Sequence, residues 1–223
     1  MSFIDYPDRE MLAIDLANHL AGELETCLLN HPHASFAVPG GSTPGPIFDA
    51  LCAADLDWAR VHVMATDERW VDMEDPRSNA RLIRERLLVN RAAAAQFVPF
   101  YAPSSTPEPV LGDIVAGLER DMPISVLVLG MGGDMHTASL FPGAPGLSAA
   151  LAPDAPILSI LRPENIPETR ISLSARVLDQ AMSKHVVIYG ADKRAAYERA
   201  MTLPPEEAPI QAVMSDLSVH WAE

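Results

Sequence analysis

The run Val-Leu-Val-Leu at residues 126–129, which ends in Gly130, constrains the fold of this chain more than any other feature. Consecutive apolar residues bounded by a glycine are typical of a strand buried on both faces of a parallel sheet. Other runs predicted as strands lie at residues 36–38, 61–65, 157–161, 171–173, 186–189 and 210–213. A sheet with this many buried strands needs helices on both faces.

Helical patterns alternate with these strands. Leucines recur at every fourth position within residues 8–29, which predicts a long amphipathic helix. Further helices are predicted after residues 39–44, from Ser78-Asn79 and after Gly190. This alternation predicts an α/β fold, a Rossmann-like three-layer sandwich with a mainly parallel sheet. We expect residues 1–223 to form a single domain, because the sequence has no linker and no internal repeat.

Composition and charge limit the classes of partner. The net charge of -14 argues against nucleic acid and anionic membranes, since both attract basic surfaces. The N-terminus carries acidic residues, and no apolar run reaches bilayer length, so we expect a cytoplasmic protein. Cys27 and Cys52 lie in helix-like apolar patterns and are predicted to be reduced packing residues. No sequence feature indicates an oligomeric state.

In an open parallel sheet, ligands bind beyond the carboxyl ends of the strands. One such end carries Gly40-Gly41-Ser42-Thr43. The glycines let the backbone approach a ligand, the hydroxyls can donate, and the start of the next helix favours an anion. We expect a phosphate-binding loop here, although a helix start capped by Ser or Thr has the same residues. The loop lacks the GxxxxGK[ST] pattern of a Walker loop.

A second strand end carries the triplet Asp67-Glu68-Arg69. The planar guanidinium of Arg69 could hold a developing oxyanion or a sugar oxygen, and Asp67 could accept hydrogen bonds from sugar hydroxyls. A solvated surface turn would have the same composition. The triplet alone does not indicate a site. It becomes a candidate because other strand ends of the same sheet also carry polar residues.

Residues 130–143 follow the central strand and contain the strongest chemical signal, Asp134 and His136 after a glycine-rich turn. A histidine is suited to general-base work near neutral pH, and a neighbouring carboxylate can fix its tautomer. The dinucleotide pattern GxGxxG fails because Met135 occupies the third glycine position, and we expect no cofactor. Ser139 is a poor candidate nucleophile because the GxSxG pattern is absent.

Two cations complete the candidate site. Lys193 falls in the first turn of a predicted helix, where a positive charge is unfavourable for the helix and points to a nearby anion. Arg170 leads into the strand at residues 171–173 and is a second candidate partner of a phosphate. An exposed cation is the alternative for either residue. No HExxH or CxxC pattern occurs, so we predict no metal site and assign no role to His19, His31, His33, His62, His185 or His220.

With these residues in view, the chain resembles the 6-phosphogluconolactonases, relatives of the glucosamine-6-phosphate deaminases. The resemblance covers nearly the whole chain. It rests on PGGSTP at residues 39–44, DERWV at 67–71, HTASLFPG at 136–143, TRISLS at 169–174 and GADKR at 190–194. HTASLFPG is the specific element, and the other motifs are shared with the wider superfamily.

The resemblance implies hydrolysis of 6-phospho-D-glucono-1,5-lactone to 6-phosphogluconate in the oxidative pentose phosphate pathway. It implies that His136 activates water, that Asp134 orients His136 and that Arg69 stabilises the lactone oxygen as charge develops. The phosphate would be held by Gly41, Ser42, Thr43, Arg170 and Lys193. A lactone is an activated ester, so one base with electrostatic stabilisation is sufficient chemistry.

The sequence departs from the family at Met135, where the family usually has glycine. If the backbone there is left-handed, a side chain costs roughly 1–2 kcal/mol. One alternative activity is glucosamine-6-phosphate isomerase/deaminase, but such enzymes follow the histidine with a carboxylate that residues 140–143, Leu-Phe-Pro-Gly, do not offer. Another is a non-catalytic phosphosugar-sensing domain, which would need a DNA-binding module, and the chain has no basic segment for one.

Overall fold

The computed structural model describes residues 2–164 and 166–223. Its main sheet has seven parallel strands, in the spatial order β1 (Ser2–Asp5), β10 (Leu217–Ala222), β9 (Ser183–Tyr189), β6 (Val126–Gly130), β2 (Ala34–Val38), β3 (Val61–Ala65) and β5 (Gln96–Val98). The apolar run that ends in Gly130 is the central strand. Neighbours on both edges and layers on both faces explain why every residue of β6 before Gly130 is apolar and buried.

The order in which the chain adds strands to the sheet reverses between β2 and β6, although all the strands are parallel. From β2 the chain continues outward through β3 and β5, and from β6 it continues to the other side through β9 and β10. The connections that leave these two neighbouring strands therefore diverge and open a crevice at the carboxyl edge of the sheet. The Gly40-Gly41 loop and residues 130–143 both begin at this crevice.

A second sheet of three antiparallel strands lies beside that edge, in the order β4 (Asp67–Arg69), β8 (Arg170–Leu173) and β7 (Leu158–Leu161). Thr66 connects β3 to β4, and its carbonyl oxygen accepts a hydrogen bond from the Leu173 backbone N–H at 3.0 Å. The register places Arg69 directly opposite Arg170. Two cations that are far apart in sequence thus meet at the crevice.

Helices cover both faces of the main sheet. One face carries α1 (Arg9–Asn30), α2 (Gly45–Leu51) and α3 (Asn79–Arg86), and the other carries α4 (Leu111–Leu118), α5 (Leu147–Leu151), α6 (Ala175–Asp179), α7 (Ala191–Ala200) and the second sheet. Strand β6 separates two apolar cores, since Val126 and Val128 belong to one and Leu127 and Leu129 to the other. The predicted three-layer α/β sandwich with a mainly parallel sheet is confirmed.

The long first helix is also confirmed. It begins after Asp8, whose carboxylate accepts a hydrogen bond from the Met11 backbone N–H at 2.8 Å, which is the geometry of an N-cap. Its buried leucines, spaced by four, are Leu12, Leu16, Leu20, Leu24 and Leu28. No helix among the described residues has the length and apolarity to cross a membrane.

Other element predictions need correction. The strand predicted at residues 210–213 is wrong, because the chain forms a 3₁₀ helix at Pro209–Val213. Strands β7 and β8 exist, but they pair antiparallel in the second sheet and not in the main one. Strand β1 was not predicted, because it has only four residues, of which two, Phe3 and Ile4, are apolar.

Candidate active site

A cavity of about 340 Å³ opens at the carboxyl edge of the main sheet, between the loops after β2 and β6 and the second sheet. Most of the predicted site residues line it: Gly40, Gly41, Thr43, Asp67, Arg69, His136, Arg170 and Lys193. Asp134 lies beside His136 and does not line the cavity. Ser42 lines an adjoining cavity of about 580 Å³, which shares Gly41, Arg69 and Arg170 with the first.

His136 and Asp134 form a directly hydrogen-bonded pair. The distance from His136 Nδ1 to Asp134 Oδ1 is 2.6 Å, and the His136 backbone N–H donates to the same oxygen at 3.2 Å. The hydrogen bond from His136 lowers the pKa of Asp134, which keeps this carboxyl ionised. An ionised Asp134 favours the proton on Nδ1, so a neutral His136 carries its lone pair on Nε2, as a general base requires.

Gly132 makes room for this pair. A Cβ atom on Gly132 would lie 2.1 Å from His136 Nδ1 and 2.4 Å from Asp134 Oδ1, so no side chain fits there. The Gly132 backbone N–H also donates to the His136 carbonyl oxygen at 2.9 Å. The sequence indicated a glycine-rich turn but did not show which glycine the histidine depends on.

The backbone around the pair is left-handed at Met135, with φ of 67°, and at Ala138, with φ of 48°. Met135 thus has a side chain at a left-handed backbone position, which is the source of strain expected from the sequence. Met135 is 7% exposed and belongs to the apolar core on that face of the sheet. Burial of this side chain opposes the cost of the left-handed backbone.

Arg69 and Arg170 are the main electrostatic feature of the cavity. They are directly opposite each other on β4 and β8, an arrangement that is destabilising for like charges. Arg170 is 8% exposed, and within the described part of the chain its Nε has no hydrogen-bond partner. Burial, followed by the nearby charge of Arg69, lowers the pKa of Arg170. An arginine stays protonated even so, and the pair therefore favours an anion close to the two guanidinium groups.

Asn79 and Glu68 hold Arg69 in place. The Arg69 guanidinium donates to the Asn79 side-chain oxygen, and the Asn79 amide donates to the Asp67 carbonyl oxygen at 2.8 Å. The buried Glu68 carboxylate accepts from the backbone N–H groups of Asn79 at 2.8 Å and Ala80 at 2.7 Å. Burial raises the pKa of Glu68, and these hydrogen bonds oppose the rise. Glu68 thereby fixes the start of α3 against β4.

Sequence reasoning identified Ser78-Asn79 as a helix start and as part of the family resemblance, but assigned neither residue a role in the site. Ser78 is the N-cap of α3, and its hydroxyl also donates to Glu68 at 3.0 Å. Gly40 is tied to the same group, since a Cβ atom there would lie 1.9 Å from the Asn79 side-chain oxygen. A partial signal was present at Glu68, an acidic residue in a strand-end motif that precedes the predicted helix start. The contact itself depends on the tertiary fold.

The phosphate-binding predictions fall at two places in the cavity. Gly41 has φ of 81°, which requires glycine, and Thr43 lines the cavity next to it. The following helix α2 is only seven residues long and begins after Pro44, so its contribution to anion binding is small. Lys193 reaches the cavity from the first turn of α7 and donates to the Met131 carbonyl oxygen at 2.8 Å.

Asp67 and Ser139 are bonded to each other. The Ser139 hydroxyl donates to Asp67 Oδ2 at 2.5 Å, and the Thr66 hydroxyl donates to Asp67 Oδ1 at 3.2 Å. Ser139 is fully buried. This contact joins the His136 segment to β4, which favours a positioning role for Asp67. It also leaves Ser139 unsuited to act as a nucleophile.

Phe141 is a further residue that the sequence did not single out. Its ring centroid lies 4.5 Å from that of His136, and the Arg170 guanidinium carbon lies 5.9 Å from the Phe141 centroid. The ring thus lies between the base and the buried cation. It gives the cavity an apolar wall where a sugar ring can pack.

Comparisons with known proteins show which family the chain resembles in sequence and in fold. The model of the family described as glucosamine-6-phosphate isomerases/6-phosphogluconolactonase matches residues 7–221. A 6-phosphogluconolactonase of Mesorhizobium japonicum is 39% identical, over 97% of this chain and 93% of that protein. One of Pseudomonas aeruginosa is 38% identical, over 92% of this chain and 88% of that protein.

Solved structures extend the comparison to the fold. A 6-phosphogluconolactonase of Shewanella baltica superposes with a TM-score of 0.96 at 32% identity, covering 100% of this chain and 98% of that one. A monomeric glucosamine-6-phosphate deaminase superposes with a TM-score of 0.80 at 15% identity, which shows a common fold alone. By the length of the family match and the identity of these relatives, the chain belongs to the glucosamine-6-phosphate isomerase/6-phosphogluconolactonase family.

Proposed function

We propose that this protein hydrolyses 6-phospho-D-glucono-1,5-lactone to 6-phosphogluconate, a step of the oxidative pentose phosphate pathway, with His136 as the base that activates water. The observation that carries the proposal is one cavity lined by His136, which is paired with Asp134 behind it, and by the opposed cations Arg69 and Arg170. A base next to an anion site fits a phosphorylated ester. The names of the curated relatives support the same substrate.

The cations of the cavity bind different parts of the substrate. In this proposal Arg170, Lys193 and the loop from Gly40 to Thr43 bind the phosphate, which places the lactone ring against Phe141 and its carbonyl near Arg69. Arg69 is held by Asn79, so its guanidinium is oriented before substrate arrives. Fixed donors stabilise developing charge more effectively than mobile ones, because they need no reorganisation.

The reaction needs one base that later acts as an acid. His136 Nε2 removes a proton from water as the water oxygen attacks the lactone carbonyl carbon, and Arg69 stabilises the resulting oxyanion. Asp134 stabilises the imidazolium through the Nδ1 hydrogen bond. When the tetrahedral intermediate collapses, the bond between the carbonyl carbon and the ring oxygen breaks. The imidazolium then gives its proton to the leaving ring oxygen.

The test is hydrolysis of freshly generated lactone, followed as acid release above the spontaneous rate. We expect His136→Ala to lower kcat by about 10²–10⁴-fold, the usual contribution of general acid–base catalysis. His31→Ala is the matched control, since His31 is an exposed histidine away from this cavity. Equal rates for wild type and His136→Ala would refute the role of His136.

A second assay separates the two activities of the family. Residues 137–143 carry no carboxylate, which supports lactone hydrolysis over deamination. Wild type should release no ammonia from glucosamine 6-phosphate. Ammonia release, without accelerated hydrolysis of the lactone, would assign the protein to the deaminase branch.

A further inference from the structure

Three potential ligand side chains meet at the edge of the main sheet opposite the candidate active site. His33 immediately precedes β2, His62 is the second residue of β3, and Asp121 ends the 3₁₀ helix Glu119–Asp121 ahead of β6. The amino ends of these parallel strands lie together, so the fold gathers residues that are scattered in the sequence. Their ligand atoms all lie within 4.8 Å of one another.

The two histidines both approach one carboxylate oxygen of Asp121. His62 Nδ1 lies 2.5 Å from Asp121 Oδ1, and His33 Nε2 lies 3.3 Å from the same oxygen. The two imidazole rings are stacked, with centroids 4.5 Å apart and planes at 14°. His33 Nε2 also lies 3.2 Å from the Arg120 carbonyl oxygen, which can only accept, so this nitrogen must give up its proton when it binds an ion.

The Asp121 carboxylate lacks the partners that its burial demands. Its side chain is 0% exposed, and in the described part of the chain Oδ2 has no hydrogen-bond partner. The Arg120 guanidinium is a weak partner, because its Nε lies 3.9 Å from Oδ2 on a side chain that is 63% exposed. A buried, half-satisfied carboxylate is costly unless something else binds it.

We propose that His33, His62 and Asp121 bind a divalent transition metal ion, with zinc as the best match. Two imidazoles and a carboxylate are a common zinc ligand set, whereas magnesium and calcium prefer oxygen ligands alone. Ligands at about 2.0–2.1 Å from a tetrahedral zinc ion are about 3.4 Å apart. The His33–Asp121 spacing of 3.3 Å already fits, and the His62–Asp121 contact must open from 2.5 Å.

The surroundings leave room for a fourth ligand. A cavity of about 220 Å³ borders the cluster and is lined by both His33 and Asp121. Water from this cavity can complete a tetrahedron. The bound ion links the starts of β2 and β3 to the turn before β6, so it should raise the thermal stability of the protein.

A second cluster, His19, Glu23 and His185, has similar spacing but is already satisfied. Glu23 accepts from the Ser183 hydroxyl at 2.7 Å and lies 2.9 Å from His185 Nε2. His185 Nδ1 is in turn 3.0 Å from His220. With no orphaned oxygen, this cluster gives no comparable reason to bind an ion.

The test is calorimetric titration of the chelator-treated full-length protein with zinc chloride, together with thermal unfolding. We expect one ion per chain and a higher Tm with zinc. His33→Gln and Asp121→Asn should each weaken zinc binding by at least about tenfold and remove the Tm increase. His33 has a side chain that is 30% exposed, so its replacement should leave the fold intact.

Matched controls locate the ion. His19→Gln changes the second cluster, and His136→Gln changes the candidate active site; zinc binding should persist in both. Lactone hydrolysis should be unchanged in His33→Gln, so loss of the metal site is distinguishable from loss of the proposed activity. Wild-type protein that binds no zinc, or His33→Gln that binds it as tightly as wild type, would overturn the proposal. Loss of binding in His19→Gln or His136→Gln would overturn it too.

Discussion

Met135 shows how one residue can combine strain and packing. Its φ of 67° is unfavourable for any side chain, yet that side chain is 7% exposed and lies in the core. Glycine would relieve the strain and lose the packing. Alanine would keep the strain and lose most of the packing.

We therefore predict that wild type is the most stable of the three proteins, Met135→Gly is less stable and Met135→Ala is the least stable. The alanine variant should be less stable than the glycine variant by about 1 kcal/mol, since only glycine accepts a left-handed backbone without cost. Urea unfolding of the three proteins measures this. If alanine were more stable than glycine, as at ordinary positions, the backbone at residue 135 would not be left-handed in solution.

A substitution at Lys193 can distinguish substrate binding from the chemical step. It lines the cavity from the first turn of α7. A contact to the substrate phosphate is made equally in the ground and transition states, so Lys193→Ala should raise KM and leave kcat nearly unchanged. Steady-state kinetics tests this. Arg194→Ala is the control, because Arg194 pairs with Asp5 and Glu198. A lower kcat at unchanged KM would argue against phosphate binding by Lys193.

At the scale of elements, strands β9 and β10 bury a pair of histidines against α1. His185 Nδ1 and His220 Nε2 are 3.0 Å apart, and the Tyr6 hydroxyl lies 3.0 Å from His220 Nδ1. Burial, followed by the neighbouring His185, lowers the pKa of His220 from 6.5 to about 3. The folded protein therefore resists protonation of His220, whereas the unfolded chain does not.

This difference predicts acid destabilisation. Below pH 6.5 the unfolded state binds a proton that the folded state refuses until about pH 3, so stability falls as pH decreases across this window. One such proton contributes up to about 1.4 kcal/mol per pH unit. His220→Gln should lose less unfolding free energy than wild type between about pH 7 and about pH 5, as urea titrations at both pH values would show. Equal losses in the two proteins would contradict the lowered pKa.

At the scale of the whole molecule, the candidate site exists only where the two sheets meet. Segments that follow strands of the main sheet contribute His136, Gly41 and Lys193, and the second sheet contributes Arg69 and Arg170. The chain carries a net charge of -14, so an anionic substrate depends on these local cations. A bound ligand that contacts both sheets should stabilise the fold as a unit.

We predict that 6-phosphogluconate raises the stability of the protein, by about 2.7 kcal/mol at about 100 times its Kd. Thermal unfolding with increasing product measures the effect. Arg170→Gln should show a much smaller increase in Tm at the same concentration. Arg84→Gln should respond like wild type, since Arg84 pairs with Glu74 away from the cavity. An unchanged response in Arg170→Gln would remove Arg170 from the ligand site.

The sequence by itself determined the features that depend on neighbouring residues. The spacing of leucines predicted α1, the apolar run predicted β6, and Ser78 and Gly190 marked helix starts. The rule that ligands bind at strand ends then selected about half of the residues that line the cavity, among them Arg69, His136 and Lys193. These signals are local, because helix and strand periodicities extend over only a few residues.

Only the tertiary structure decided which distant residues meet. The register that opposes Arg69 and Arg170, the bond from Asn79 to Arg69, and the convergence of His33 and His62 each depend on strand pairing or strand order. Such pairing has no local sequence pattern. For the same reason the short apolar run at residues 210–213 was misassigned, since a run of that length fits a strand or a helical turn until its packing is known.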